Sequence, residues 1–193
     1  MCRLIFSLFI FLAHLEGFLT KVDADSVILI NGNTGAVLYE KEADTTVVSP
    51  SEEALFSVPD EKKHSNFLLY PPHRLERQGT SIGLKPGKPI PLWVALYGML
   101  ISSGNGCSNV LAESYGKSIP GFVESMNQYL LTIGCKNSQF LNPHGLHHPE
   151  HKTTARDLAL ITKKALSLRV FREIVSSKGF FFPNMGKKKK QYS

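Results

Sequence analysis

The stretch "LWVALYGMLISSGNGCSNVLAE", residues 92–113, begins with an uncharged apolar run, breaks at a Ser-Gly-Asn triplet and resumes with helical periodicity. The first run, from Leu92 to Ile101, is apolar on nearly every side, which predicts a helix buried in a core rather than one lying on a surface. Small polar residues behind such a run either form a solvent loop or hold a hydroxyl and an amide at the mouth of a pocket. Gly104 permits a sharp turn there, one that presents the Ser103 hydroxyl and the Asn105 amide together. By itself the triplet is weak, because Ser125-Met126-Asn127 repeats the spacing on what reads as a helix face.

Working outward, the next helix is expected from Cys107 to Tyr115, stopping at Gly116. In "SIPGFVESMNQYLLTIG", Phe122, Met126, Tyr129, Leu130 and Ile133 fall on one helical face as core packing, and Gly134 supplies a C-terminal stop. "TTARDLALITKKAL" repeats the pattern, with Thr154 as N-cap, Asp157 three residues on as in a capping box, and Leu158, Ile161 and Ala165 inward. Toward the N-terminus, "SVILI" and "AVLYE" are β-prone runs joined by "NGNTG", which predicts an antiparallel hairpin from Ser26 to Glu40. Residues 54 to 91 carry Pro59, Pro71, Pro72, Pro86, Pro89 and Pro91, so an irregular connection with at most short elements is expected. The whole predicts an α/β (α+β) domain, a helical cluster packed on a small sheet.

Composition sets the limits on function. With 193 residues, 42% hydrophobic and 20% charged, the chain can bury one real core. The net charge of +6 owes four of its units to Lys187–Lys190 in the basic tail 187–193, leaving about +2, too little for a nucleic-acid footprint. The N-terminal segment 1–24 reads as a signal peptide: Arg3, an apolar run from Leu4 to Ala13 too short to span a bilayer, and a Val22-x-Ala24 cleavage pattern. A buried N-terminal helix is the alternative. Export to the periplasm or cell envelope is therefore expected, with membrane contact only through an uncleaved signal. Cys107 and Cys135 read as buried thiols in apolar helical contexts; export would permit a disulfide between them, but the spacing does not support one.

With these segments laid out, the chain resembles the serine-type D-alanyl-D-alanine carboxypeptidases, the low-molecular-mass penicillin-binding proteins. The resemblance runs through "SVILINGNTGAVLYEKEAD", "LISSGNGCSNVLAE", "GFVESMNQYLLTIGCKNSQFLNPHGL" and "HKTTARDLALIT", and the "NPHGL" turn followed by "TTARDLA" is its most specific part. It implies a β-lactamase/DD-peptidase-like domain over residues 25–186. It also implies a reaction without metal or other cofactor: a serine is acylated by a peptidoglycan stem peptide ending in D-Ala-D-Ala, the terminal D-alanine leaves, and water hydrolyses the acyl-enzyme. β-Lactams acylate the same serine in intact relatives. Three motifs do this work in related enzymes, a Ser-x-x-Lys, a Ser-x-Asn and a Lys-Thr-Gly. The lysine takes the nucleophile's proton, the second serine relays it, the asparagine holds the substrate amide, and the Lys-Thr-Gly strand grips the terminal carboxylate.

Carried onto this sequence, the resemblance makes Ser51 the nucleophile, Ser103 the relay and Asn105 the substrate anchor. The pattern then departs from the family. Ala54 stands where the lysine belongs, Pro59 interrupts the following helix, and Lys62 and Lys63 lie too far along to substitute. Gly106 replaces the usual acidic residue after the triplet, and no Lys-Thr-Gly follows Asp157 within the 193 residues, so only the first hairpin of the sheet is expected. The one literal Ser-x-x-Lys, Ser114 to Lys117, sits at a helix end and reads as coincidence. An impaired family member is the expectation, with a non-catalytic peptidoglycan- or partner-binding remnant, or a truncated gene product, as the alternative. His144, His147, His148 and His151 crowd a short segment, but Pro149 disfavours the helix that would bring two of them together on a metal, so a surface loop of scattered imidazoles is expected.

Overall fold

The computed structural model describes residues 23–47, 67–72, 79–181 and 191–192. Strands β1 (Val27–Ile30) and β2 (Val37–Lys41) form the expected antiparallel hairpin, with Leu29 opposite Tyr39 and a register slip before Ile30. Its loop is built by Asn31, whose side-chain oxygen accepts from the N–H groups of Asn33 and Thr34, each at 3.0 Å. Two further ladders of two residues each are present: β3 (Leu68–Leu69) with β4 (Ile90–Pro91), and β5 (Phe180–Phe181) with β6 (Gln191–Tyr192).

Five helices follow in the described residues: α1 (Leu92–Leu100), α2 (Asn105–Gly116), α3 (Ile119–Thr132), α4 (Ala155–Leu166) and α5 (Arg169–Val175). They enclose two cores. The first gathers α1, the start of α2 and the inner face of α5, with Ala95, Cys107, Val110 and Leu111 fully buried. Leu69, Ile82 and Ile90 from the proline-rich connection complete it, so that irregular stretch is part of the interior. The second core lies between α3 and α4 around Met126, Leu130, Phe140 and Ile161. Tyr115 touches both.

Helix α4 carries the hairpin. It packs on β1, and Arg156 reaches across to Glu40 at 2.6 Å and Asp44 at 2.8 Å. The Arg156 hydrogen bond holds the Asp44 carboxyl below its ordinary range. Both acids are exposed, so the pair orients the hairpin more than it stabilises it.

Several expectations need correction. Helix α2 starts at Asn105 rather than Cys107, so the triplet's asparagine already belongs to the helix. Tyr129 is 37% exposed, because Val123 rather than Tyr129 takes the fourth inward position on α3 beside Phe122, Met126 and Leu130. Cys135 lies beyond α3, after the stop at Gly134 (φ +90°), although it is buried as expected. Thr154 caps α4 by accepting the Asp157 N–H at 3.1 Å, but the Asp157 carboxylate does not complete a capping box. It turns to the segment after α3, where it accepts from the Lys136 N–H (3.3 Å), the Asn137 N–H (2.9 Å) and the Ser138 hydroxyl (2.7 Å). Helix α5 went unpredicted: it is only two turns long, and Val170, Phe171 and Ile174 are its whole buried face.

Candidate active-site turn

Everything specific about the candidate site begins with how α1 hands over to α2. Ile101 still closes a helical hydrogen bond to the Tyr97 carbonyl, and Gly104 then donates back to the Gly98 carbonyl at 2.9 Å. A Cβ on Gly104 would stand 2.9 Å from that same oxygen and 3.3 Å from Cys107 Sγ, so close approach is what requires the glycine. The left-handed conformation falls one residue earlier, on Ser103, at φ +48°. This corrects the expectation that Gly104 itself makes the sharp turn: its φ is an ordinary −75°. A serine held at positive φ is uncommon and strained, a feature that clusters at functional sites. Ser103 is exposed while Asn105 is 8% exposed, so the hydroxyl faces solvent and the asparagine is seated in the protein.

Asn105 is held from outside its own helix. Its backbone N–H, one of the first-turn donors a helix leaves unpaired, donates to the Thr80 carbonyl at 3.0 Å. Helix α2 has no side-chain N-cap and no acidic residue in its first turn, so this contact and the Gly104 carbonyl, which accepts from Cys107 and Ser108, organise its start. Three buried polar atoms nearby in sequence, Ser102 Oγ, Asn109 Oδ1 and Tyr115 OH, have no hydrogen-bond partner among the described residues. Burial raises the Tyr115 phenol above its ordinary range and pushes the Cys107 thiol up to about 12. Cys107 is therefore a packed thiol at neutral pH and no nucleophile.

The other candidates separate in the same way. Ser51 and Ala54 lie outside the described residues, as do Pro59, Lys62, Lys63, residues 1–22 of the signal segment and the tail lysines. Ser114 donates to the Val110 carbonyl at 2.7 Å within its own helix, and Lys117 is the left-handed residue that ends it. The histidines are not all on the surface. His151 is fully buried, stacked on Phe140 with ring centroids 5.2 Å apart, and its Nδ1 accepts the Leu141 N–H. His144 and His148 each accept a backbone N–H two residues on, from Leu146 and Glu150. No cluster of three metal-ligating side chains occurs among the described residues.

Sequence reasoning missed the Gly79–Thr80 contact and the two polar clasps that shape the segment between α3 and α4. Neither has a local signal. Asn127 pairs with both backbone groups of Phe140, each at 2.8 Å, and Asp157 gathers three donors about twenty residues behind it. Two open grooves of about 560 and 580 Å³, one between β1 and α4 and one along α3, include neither Ser103 nor Asn105.

Comparison with known proteins bears on this turn directly. The chain is 31% identical over 152 residues to the D-alanyl-D-alanine carboxypeptidase DacF of Bacillus subtilis, a match covering 75% of this chain and 39% of that protein. It is 30% identical over 155 residues to DacA of Escherichia coli, covering 73% and 38%. Among solved structures, penicillin binding protein 5 from Haemophilus influenzae superposes with a TM-score of 0.80 at 26% identity, over 89% of this chain and 53% of that one. DacD from Francisella tularensis gives 0.79 at 26% identity, over 90% and 44%. The chain thus spans between about two fifths and half the length of these relatives. The fold is the β-lactamase/DD-peptidase one expected from the sequence, and the hairpin is its only described sheet element with strands longer than two residues. Because a family profile described as D-alanyl-D-alanine carboxypeptidase matches residues 71–187, including the whole α1–α2 turn and the Asp157 segment, the chain belongs to that family.

Proposed function

We propose that this chain is an exported D-alanyl-D-alanine carboxypeptidase relative that binds peptidoglycan stem peptides ending in D-Ala-D-Ala and turns them over poorly. The supporting observation is the turn itself: an exposed serine at φ +48° two residues before a seated asparagine, in a chain of this family. In this reading Ser51 is the nucleophile, Ser103 passes a proton, and the Asn105 amide aligns the peptide. Impairment comes from Ala54. A methyl group cannot accept the serine proton, and a serine hydroxyl without a base is a poor nucleophile near pH 7. No helix among the described residues is long and apolar enough to cross a membrane, and export rests on the leader-like segment before Ala24.

The test is stereospecific binding measured apart from turnover. An acylated peptide ending in D-Ala-D-Ala should bind the purified chain, its L-Ala-L-Ala isomer should not, and Asn105→Ala should abolish the difference. A fluorescent penicillin should leave no covalent band on a denaturing gel. Equal binding of the two isomers refutes the reading. A covalent band that vanishes in Ser51→Ala would instead mean that a base other than residue 54 serves the nucleophile.

A further inference from the structure

We infer that Gly79 and Thr80 are the positioning element for Asn105, a role that rests on the reading of Asn105 as substrate anchor. Two independent contacts converge on that residue from the same short segment. The Thr80 carbonyl accepts the Asn105 backbone N–H at 3.0 Å, which ties the first residue of α2 to an irregular stretch more than twenty residues earlier in the chain. Beside it, Gly79 lies against the Asn105 side chain. A Cβ built on Gly79 would overlap Asn105 Nδ2, stand 3.0 Å from its Cγ and 3.4 Å from its Oδ1. All three heavy atoms of the amide group are therefore in contact with the space that a side chain at 79 would occupy.

The consequence is mechanical. The Asn105 side chain is short, and its backbone is pinned at Thr80, so it escapes a Cβ at 79 most easily by turning about its side-chain torsions, which re-aims the amide. Rotation changes where the N–H₂ donor and the carbonyl acceptor point, and those are the two groups by which an asparagine can hold a peptide bond. Gly79 also sits at φ +80°, so a glycine there meets a backbone need and a space need at once. The segment touches no reacting atom; it acts through Asn105.

Gly134 provides the control, because it shares the backbone need without the crowding: its φ is +90°, and a Cβ there would meet only Leu160 Cδ1 at 3.9 Å. In ¹⁵N-labelled full-length chain, the Asn105 side-chain N–H₂ pair is assigned by its loss in Asn105→Asp. Gly79→Ala should move that pair in the free protein and weaken binding of an acyl-D-Ala-D-Ala peptide about tenfold, the scale of one misdirected hydrogen bond. Gly79→Asn, whose backbone tolerates positive φ, should do the same with less loss of stability. Gly134→Ala should lower stability and leave both readings alone. An unmoved Asn105 pair in the two Gly79 variants, or an equal displacement in Gly134→Ala, overturns the inference. If the wild-type chain binds no such peptide, the functional reading fails while the free-protein spectra still decide whether Gly79 positions Asn105.

Discussion

Ser103-Gly104-Asn105 and Ser125-Met126-Asn127 are the same three-residue pattern in two settings, and the settings give them opposite roles. In the second, the polar atoms are spent on the fold. Ser125 donates to the Gly121 carbonyl at 2.9 Å inside its helix, and Asn127 clasps the Phe140 backbone from both sides. In the first, the serine is exposed in a left-handed conformation, and the asparagine is positioned by backbone contacts from outside its helix. The wider surroundings follow suit: the α3–α4 junction satisfies its buried carboxylate with three donors, whereas Ser102 and Asn109 at the α1–α2 turn and the start of α2 each keep a buried polar atom without a partner among the described residues. Unpaired buried polar groups are costly and rare in folded proteins, so their concentration on one side marks that side as the one not optimised for stability.

The sharpest way to break this contrast is at its stable end. Asp157 is 2% exposed, and Asp157→Ala would leave the Lys136 and Asn137 N–H groups without their acceptor and the Ser138 hydroxyl with the Thr153 hydroxyl, at 2.8 Å, in place of a carboxylate. Hydrogen bonds to a charged group contribute about 1.5–3 kcal/mol each and are not additive, so a loss of roughly 3–5 kcal/mol is expected in urea unfolding. A loss below about 1 kcal/mol, the scale of an ordinary surface change, would show that the junction is no more committed to structure than the turn.

The paired asparagines come next. Asn127→Ala should cost about 2–3 kcal/mol, because it removes two hydrogen bonds to the backbone of buried Phe140. Asn105→Ala should cost about 1 kcal/mol or less, since the backbone bond to Thr80 survives, and its main effect should appear in peptide binding. If the stability losses come out in reverse order, the assignment of one asparagine to structure and the other to binding is wrong.

How much of this the sequence foretold depends on how local the cause is. The hairpin was legible because Asn31 and Gly35 act within the loop they build, and Thr154 because a cap bonds three residues ahead. The family pattern made Ser103 and Asn105 conspicuous, yet the conformations were misallotted: glycine chemistry pointed at Gly104, while packing against Gly98 put the left-handed residue at Ser103. Contacts that span the chain left no trace. Nothing in "QGTSIG" announces a clamp on Asn105, and nothing near Asp157 announces its donors at 136–138. Helical periodicity misjudged Tyr129 for a related reason, since period alone cannot say on which side of the apolar stripe the neighbouring elements extend their cover, and here they cover Val123 and leave Tyr129 exposed.

Each region also carries one buried cysteine, which makes the contrast measurable in a single sample. Burial pushes both thiols up to about 12, with the Asp157 charge adding to the effect on Cys135, so neither should react with a thiol reagent at pH 8 while its region stays closed. In a chain with Cys2 replaced by serine, labelling then reports local opening. Cys107 beside the turn should label about tenfold faster than Cys135, a difference of about 1.4 kcal/mol, the cost of roughly one unsatisfied polar group. Equal rates, or faster labelling of Cys135, would place the less stable region at the junction instead.

The finest test is one substitution made at both serines. Ser103→Gly removes a side chain from a residue at φ +48°, where a left-handed backbone costs a non-glycine residue about 1–2 kcal/mol. Against this, glycine gives the unfolded chain more freedom, which takes back about 0.4–1 kcal/mol. The balance should be a gain of roughly 0.5 kcal/mol, accompanied by loss of whatever the exposed hydroxyl does for the peptide. Ser125→Gly carries the same unfolded-state cost and relieves no strain. It lies within α3, where glycine costs about 0.5–1 kcal/mol, and the hydrogen bond to the Gly121 carbonyl disappears with the side chain. Opposite signs at the two positions are therefore expected in matched urea titrations. A turn selected for packing alone has no reason to keep serine where glycine is more stable, so a gain at 103 locates the strain in the residue proposed to relay the proton, whereas a loss at both positions would mean that Ser103 is held there by the fold and needs no functional explanation.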